Sequence, residues 1–188
     1  MEGKMRPNIK TALENYFLKL ESLYFSTFGT KPTVPYSDSI EKSLLIGDLD
    51  GDGEIQWLPK VQTKTQNWDN CEEQLGFVLC KELKEYCSTF YFLAVSGVFG
   101  SCKLHFYRID GSEPIDDIAL RDYNDAQYVF PITEIFLLGN AIVNDDDSYF
   151  VYYDNATGRL FCYESYTKKE ILLSYSIAKT IGSMEASL

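Results

Sequence analysis

Three alternating aspartates are the first residues in this sequence that could do chemistry. In Gly47-Asp48-Leu49-Asp50-Gly51-Asp52-Gly53-Glu54-Ile55-Gln56-Trp57-Leu58-Pro59, Asp48, Asp50 and Asp52 stand at every second position, with Gly53 directly behind. Carboxylates at the first, third and fifth places before a turn glycine are how a calcium loop opens, with Glu54 as a further oxygen donor. The place that should hold a bidentate glutamate is Pro59. Flanking helices are also missing: Ser43 to Ile46 is a short apolar run, and Glu54 to Trp57 alternates polar and apolar side chains as a half-buried strand does. The spacing therefore favours an Asp/Gly turn, in which Asp bonds its own backbone and Gly supplies positive φ.

Other chemistry has little to work with. His105 is the single histidine, so Ser-His-Asp or Cys-His catalysis would have to use it. No G-x-S-x-G accompanies it and nothing in the sequence places a nucleophile beside it, so a half-buried structural residue is expected. The cysteines at 71, 80, 87, 102 and 162 are odd in number and form no C-x-x-C pair. That pattern points to reduced thiols rather than a disulfide framework or a zinc site. P-loop and G-x-G-x-x-G motifs are absent. The expectation is a protein without cofactor and without enzymatic activity.

Charge narrows the partners. The net charge of −11 opposes nucleic acid and suits a basic protein partner. Met1 to Pro7 lacks a signal-type apolar core, Glu2 excludes N-terminal myristoylation, and no apolar run is long enough to span a bilayer. A cytoplasmic location follows, with membrane contact only through a partner.

The elements that would position these residues read as α+β. A helix is predicted over Asn8 to Phe25, with Leu13, Tyr16, Phe17, Leu20 and Leu23 as its stripe. The strand at Ile55 to Trp57 comes next. A second helix, capped by Asp69 or Asn70, runs to about Tyr86, and Glu82 within its apolar stripe must reach solvent or a partner. Strands follow at Phe90 to Val98 and Cys102 to Ile109, the latter with Leu104 and Phe106 on one face and Lys103 and His105 on the other. A helix begins near Pro114 and runs through Tyr123. Strands at Glu134 to Val143, Ser148 to Asp154 and Arg159 to Glu164 follow. A last helix starts near Ser174 and stops at Gly182. This order makes a mainly antiparallel sheet covered by N-terminal, central and C-terminal helices.

Three landmarks resemble the SUKH superfamily and, within it, the Syd branch. They are Glu54-Ile55-Gln56-Trp57-Leu58-Pro59, the helix at 71 to 86 followed by Tyr91 to Gly100 and Leu104-His105-Phe106, and Tyr152-Tyr153-Asp154-Asn155-Ala156-Thr157-Gly158-Arg159-Leu160-Phe161 with a terminal helix behind it. The resemblance implies one SUKH/Syd-like domain over residues 1–188 that binds protein. The first role it implies is an immunity protein that neutralises a bacterial toxin domain. The second is association with cytosolic loops of the SecY translocation channel. In either case acidic side chains would steer a basic partner, with Asp116, Asp117, Asp145, Asp146 and Asp147 as candidates and Tyr149 or Trp57 as apolar anchors.

Overall fold

The stripe expected on the first helix is buried in α1 (Ile9–Phe28), where Leu13, Tyr16, Phe17 and Leu20 face the interior. The computed structural model describes residues 8–188, so the reading of Met1 to Pro7 lies outside the described residues. Asn8 caps α1 by accepting from the Thr11 amide at 2.7 Å. Gly29, at φ 70°, closes it a turn later than the sequence suggests, donating its N–H to Phe25.

A small antiparallel sheet follows. β1 (Thr33–Pro35), β2 (Leu45–Ile46) and β3 (Glu54–Trp57) lie in the order β1-β3-β2. Ile55 and Trp57 point inward, so the period-two pattern is borne out. β4 (Lys60–Val61) pairs with β5 (Phe90–Tyr91).

The helix expected from 69 to 86 is two helices, α2 (Asp69–Leu75) and α3 (Lys81–Thr89). Gly76, at φ 78°, ends the first, and its N–H goes to the Glu72 carbonyl. Neither Asp69 nor Asn70 caps α2; the Asn67 side chain instead accepts from the Asp69 amide at 2.9 Å. The Glu72 carboxylate spans the break, accepting from the Leu79 amide at 2.7 Å and pairing with Lys84 at 2.6 Å.

The main sheet is antiparallel throughout, in the order β11-β10-β9-β8-β7-β6-β12. Its strands are β6 (Val95–Phe99), β7 (Cys102–Phe106), β8 (Ile135–Val143), β9 (Asp146–Asp154), β10 (Leu160–Glu164), β11 (Lys169–Ser174) and β12 (Glu185–Ala186). The single strand expected at Phe90 to Val98 is split, because Phe92 leaves β5 to bridge to Ile109. α4 (Ile115–Gln127) packs on β8 behind Pro114, which is its cap rather than its first residue. Ser174 ends β11, and Ser176 caps α5 (Ile177–Ser183) by accepting from the Lys179 amide at 3.1 Å; Gly182 lies inside the helix. Among the described residues this makes five α-helices with a curled antiparallel sheet, an α+β fold.

Alternation decides which face is covered. Leu104, Phe106, Val151, Tyr153, Leu160 and Cys162 belong to the main core with α1, α3 and α5. On the opposite face Phe130, just past α4, lies over Tyr152, Phe161 and Tyr163. Lys103, His105, Asn140 and Phe150 on that face stay exposed. Gly139 sits where β7 comes closest. A Cβ there would run into the His105 carbonyl oxygen and the Phe106 backbone, neither of which can swing away. Gly139→Ala should therefore lower stability by about 2 kcal/mol. Urea denaturation checks this, and an unchanged midpoint would contradict it.

Candidate functional site

The alternating aspartates resolve as a turn. Asp50 Oδ1 accepts from the amides of Asp52 and Glu54, both at 2.9 Å. Glu54 turns its own carboxylate to the Thr33 hydroxyl at 2.5 Å. Asp48, Asp50 and Asp52 are exposed. Among the described residues no group of three or more His, Cys, Asp or Glu side chains is arranged to hold a metal ion. Of the four residues read as calcium ligands, Asp50 is engaged by backbone amides and Glu54 by Thr33 on a neighbouring strand, while Asp48 and Asp52 stay exposed.

The same turn chemistry recurs. Asn144 and Asp145 take φ of 51° and 67° between β8 and β9, the positive pair that a tight two-residue hairpin demands. Asp146 Oδ1 accepts from the Ser148 amide and hydroxyl at 3.0 and 2.5 Å. Asp154 accepts from the amides of Ala156 and Thr157, and Glu164 from those of Tyr166 and Thr167. The hairpin accounts for Asp145 through its positive φ and for Asp146 through its hydrogen bonds, and all three acids at 145 to 147 stay exposed.

Sequence reasoning missed a neighbour of His105. The Ser96 hydroxyl lies 2.5 Å from His105 Nδ1. The signal was available: the β6–β7 hairpin turns at Gly100, and its register makes Ser96 and His105 cross-strand partners. Partial desolvation lowers the imidazole below its ordinary pKa. A serine beside a neutral histidine is the start of a catalytic pair. Two parts of such a site are missing among the described residues. No carboxylate hydrogen-bonds to the ring, and the Ser96 amide, which could have stabilised an oxyanion, is held by Tyr16 Oη at 2.8 Å.

Glu82 finds the partners that its place in the stripe required. Its Oε1 accepts from the Ser176 hydroxyl at 2.6 Å and the Ala178 amide at 3.1 Å, and its Oε2 from the Tyr153 hydroxyl at 3.3 Å. Asn155 adds a second tie, accepting from the Cys80 amide at 2.6 Å and donating to Val78 and Glu134. Cys80 Sγ lies 3.2 Å from Tyr153 Oη, and burial raises that phenol further out of reach of ionisation. These groups form the floor of an open groove of about 1030 Å³. Every polar atom named on that floor is already satisfied within the fold, which suits a structural joint between α3, β9 and α5.

Neither proposed aromatic anchor is at the surface. Trp57 is 1% exposed and Tyr149 is 3% exposed, because inward-facing strand positions carry both into the core. The acids on α4 fare differently. Asp117 and Asp125 are exposed, and with Arg121, Asn124 and Tyr128 they form one outward face at helical spacing. Asp116 is half-buried beside them, with its carbonyl towards Cys71. Arg121 is neutralised by Glu113 at 2.6 Å and Asp122 at 3.2 Å, so the face stays acidic. The loop beyond it presents Tyr128 at 90% and Ile132 at 98% exposure. Ile132 also has φ 62°, a conformation that a β-branched residue adopts only under strain. Gln127 holds the loop in place, accepting from the Ile132 amide at 2.9 Å and donating to the Thr133 carbonyl at 3.2 Å.

No protein-family model matches the chain. Over 80 residues it is 29% identical to Protein Syd of Shewanella pealeana, a stretch that covers 43% of this chain and 35% of that protein. The chain resembles Syd distantly. The match spans about a third of the Syd protein's length, and it accords with the Syd-branch landmarks in the sequence. No helix among the described residues is long and apolar enough to cross a membrane.

One buried acid lies directly beneath the α4 face. Burial raises the Asp122 carboxyl from 3.8 to about 7, against the pull of Arg121. Folded Asp122 thus keeps its proton after the unfolded chain has lost it. Its contribution to stability is complete in acid and is lost as pH rises from about 4 to about 7. Asp122→Asn, which has no proton to lose, should raise the melting temperature at about pH 8 by on the order of 5 °C, with the gain fading towards about pH 4. Thermal unfolding across that range checks it, and a gain that does not change with pH would contradict it.

Proposed function

We propose that this protein is a non-enzymatic binding module of the Syd type, a single domain that docks a basic protein partner in the cytoplasm through the exposed face of α4 and the loop after it. The observation that carries this reading is the pairing of an acidic helix face with two exposed apolar side chains, Tyr128 and Ile132, the second on a backbone that Gln127 ties down. Interfaces draw most of their affinity from a few large anchors, with charge steering the encounter. Asp116 and Asp117 keep the role that the sequence suggested for them, and Tyr128 and Ile132 take over from Trp57 and Tyr149. Asp145 and Asp146 fall behind, since the hairpin accounts for them, and Asp147 follows them on β9.

The similarity to Syd favours cytosolic loops of the SecY channel as the partner, with peripheral attachment to the inner membrane through it. The immunity role, first in the sequence reading, has no support among the relatives found. The wider SUKH assignment rests on the sequence landmarks alone.

Purified SecY channel in detergent is the direct probe. The chain should bind it, and binding should weaken as salt screens the acidic face. Tyr128→Ala should cost tenfold or more in affinity, roughly 1.4 kcal/mol. Ile132→Gly separates binding from folding: glycine accepts the positive φ, so stability should hold or rise while affinity falls. Binding that neither change weakens would remove this face from the proposal. Failure to bind the channel at low salt would remove the partner.

A further inference from the structure

Trp57 poses a question that the partner-binding reading leaves open. Its indole Nε1–H is buried and finds no acceptor among the described residues, and the Ser187 hydroxyl is likewise buried and unpartnered among them. Buried polar groups are nearly always satisfied, so two orphans call for an explanation. Both residues line the same cavity, a space of about 250 Å³ between α1, the β6–β7 hairpin and the end of the chain segment following β12. Its wall is chiefly apolar and aromatic, including Leu20, Tyr24 and Ile142.

The chain carries 28 acidic residues against 17 basic ones, yet among the described residues no Asp or Glu side chain lines the cavity. Among the described residues Lys103 is the one Lys or Arg side chain that lines it. One ammonium hydrogen of Lys103 goes to the Leu188 main-chain oxygen at 3.3 Å, which leaves two for another acceptor. The buried unsatisfied groups of this wall are thus the indole N–H, which only donates, and one hydroxyl that can donate, and the exposed Lys103 ammonium offers further hydrogens beside them. What they lack is an acceptor, and the ammonium favours a negative one.

We propose that this cavity binds a small aromatic or aliphatic carboxylate, its apolar body against Leu20, Tyr24 and Trp57 and its carboxylate towards Lys103. The size fits such a molecule. A dry cavity of about 150 Å³ holds a benzene ring, and the larger space here admits a ring with a short carboxylate tail. The site lies away from α4 and does not depend on the partner proposed above.

The probe is 3-phenylpropanoate, compared with 3-phenylpropan-1-ol and 3-phenylpropylamine, which keep the ring but lose or reverse the charge. The chain has two tryptophans, so its two indole N–H resonances are assigned with Trp68→Phe and then followed in the unaltered protein by heteronuclear NMR. The carboxylate should shift the Trp57 indole signal saturably. The alcohol should bind at least about tenfold more weakly, and the amine should leave the signal in place. Lys103 is exposed on β7, so Lys103→Met should leave the rest of the spectrum intact while weakening the carboxylate about tenfold. A Trp57 signal that stays fixed up to about 10 mM carboxylate, a range that reaches even very weak binding, would overturn the proposal. So would equal binding of all three probes, or a Lys103→Met variant that binds as well as the parent.

Discussion

Tight turns between antiparallel strands leave amide hydrogens that the strand ladder cannot use, and this chain meets them with carboxylates. Asp50, Asp146, Asp154 and Glu164 each accept from one or more amides within four residues. Without these acceptors the turns would expose unmet backbone donors just where register is set. The constraint reaches into function. Part of the −11 charge that points to a basic partner is committed to holding hairpins, so the acids free to meet a partner are fewer than the sequence suggests. Those on α4 have no such duty to a turn.

A second set of ties joins the helices to the sheet. Glu82 reaches from α3 to the start of α5 and to Tyr153 on β9, while Asn155 closes the gap before α3. Tyr16, fully buried on α1, donates to the Ser96 carbonyl and accepts from the Ser96 amide, each at 2.8 Å. That contact satisfies a stretch of β6 that the short β12 does not cover, and it withholds the Ser96 amide from any reacting group. The same placement of α1 leaves open the cavity under Trp57.

Much of this architecture was legible in the residues. The α1 stripe, the alternation in β7 and the strands of the β8–β9 hairpin follow from periodicity, and the Glu54 to Trp57 alternation gave the strand that holds the tryptophan. The break at Gly76 was hidden because Leu75, Val78, Leu79 and Leu83 keep a helical rhythm across it, although Val78 is exposed. β11 was hidden because Ile171, Leu172 and Leu173 run together without period two, yet only alternate residues turn inward. Ser174 and Ser176 are equally good caps by type, and only the strand pairing with Leu160 decides between them. The burial of Trp57 and Tyr149 was hidden for a general reason. An aromatic ring on a strand looks the same in sequence whether it faces the core or the solvent, and Tyr128 and Ile132 sit in a loop where no periodicity marks them.

The central claim is that the α4 face, and not the acidic β8–β9 hairpin, meets the partner. Hydrogen–deuterium exchange of the chain with and without the SecY channel tests this most directly. The account predicts slowed exchange over Asp117 to Thr133, with the amides of Asp145 to Ser148 unchanged. Protection confined to the hairpin, with α4 and its loop exchanging as in the free protein, would contradict it.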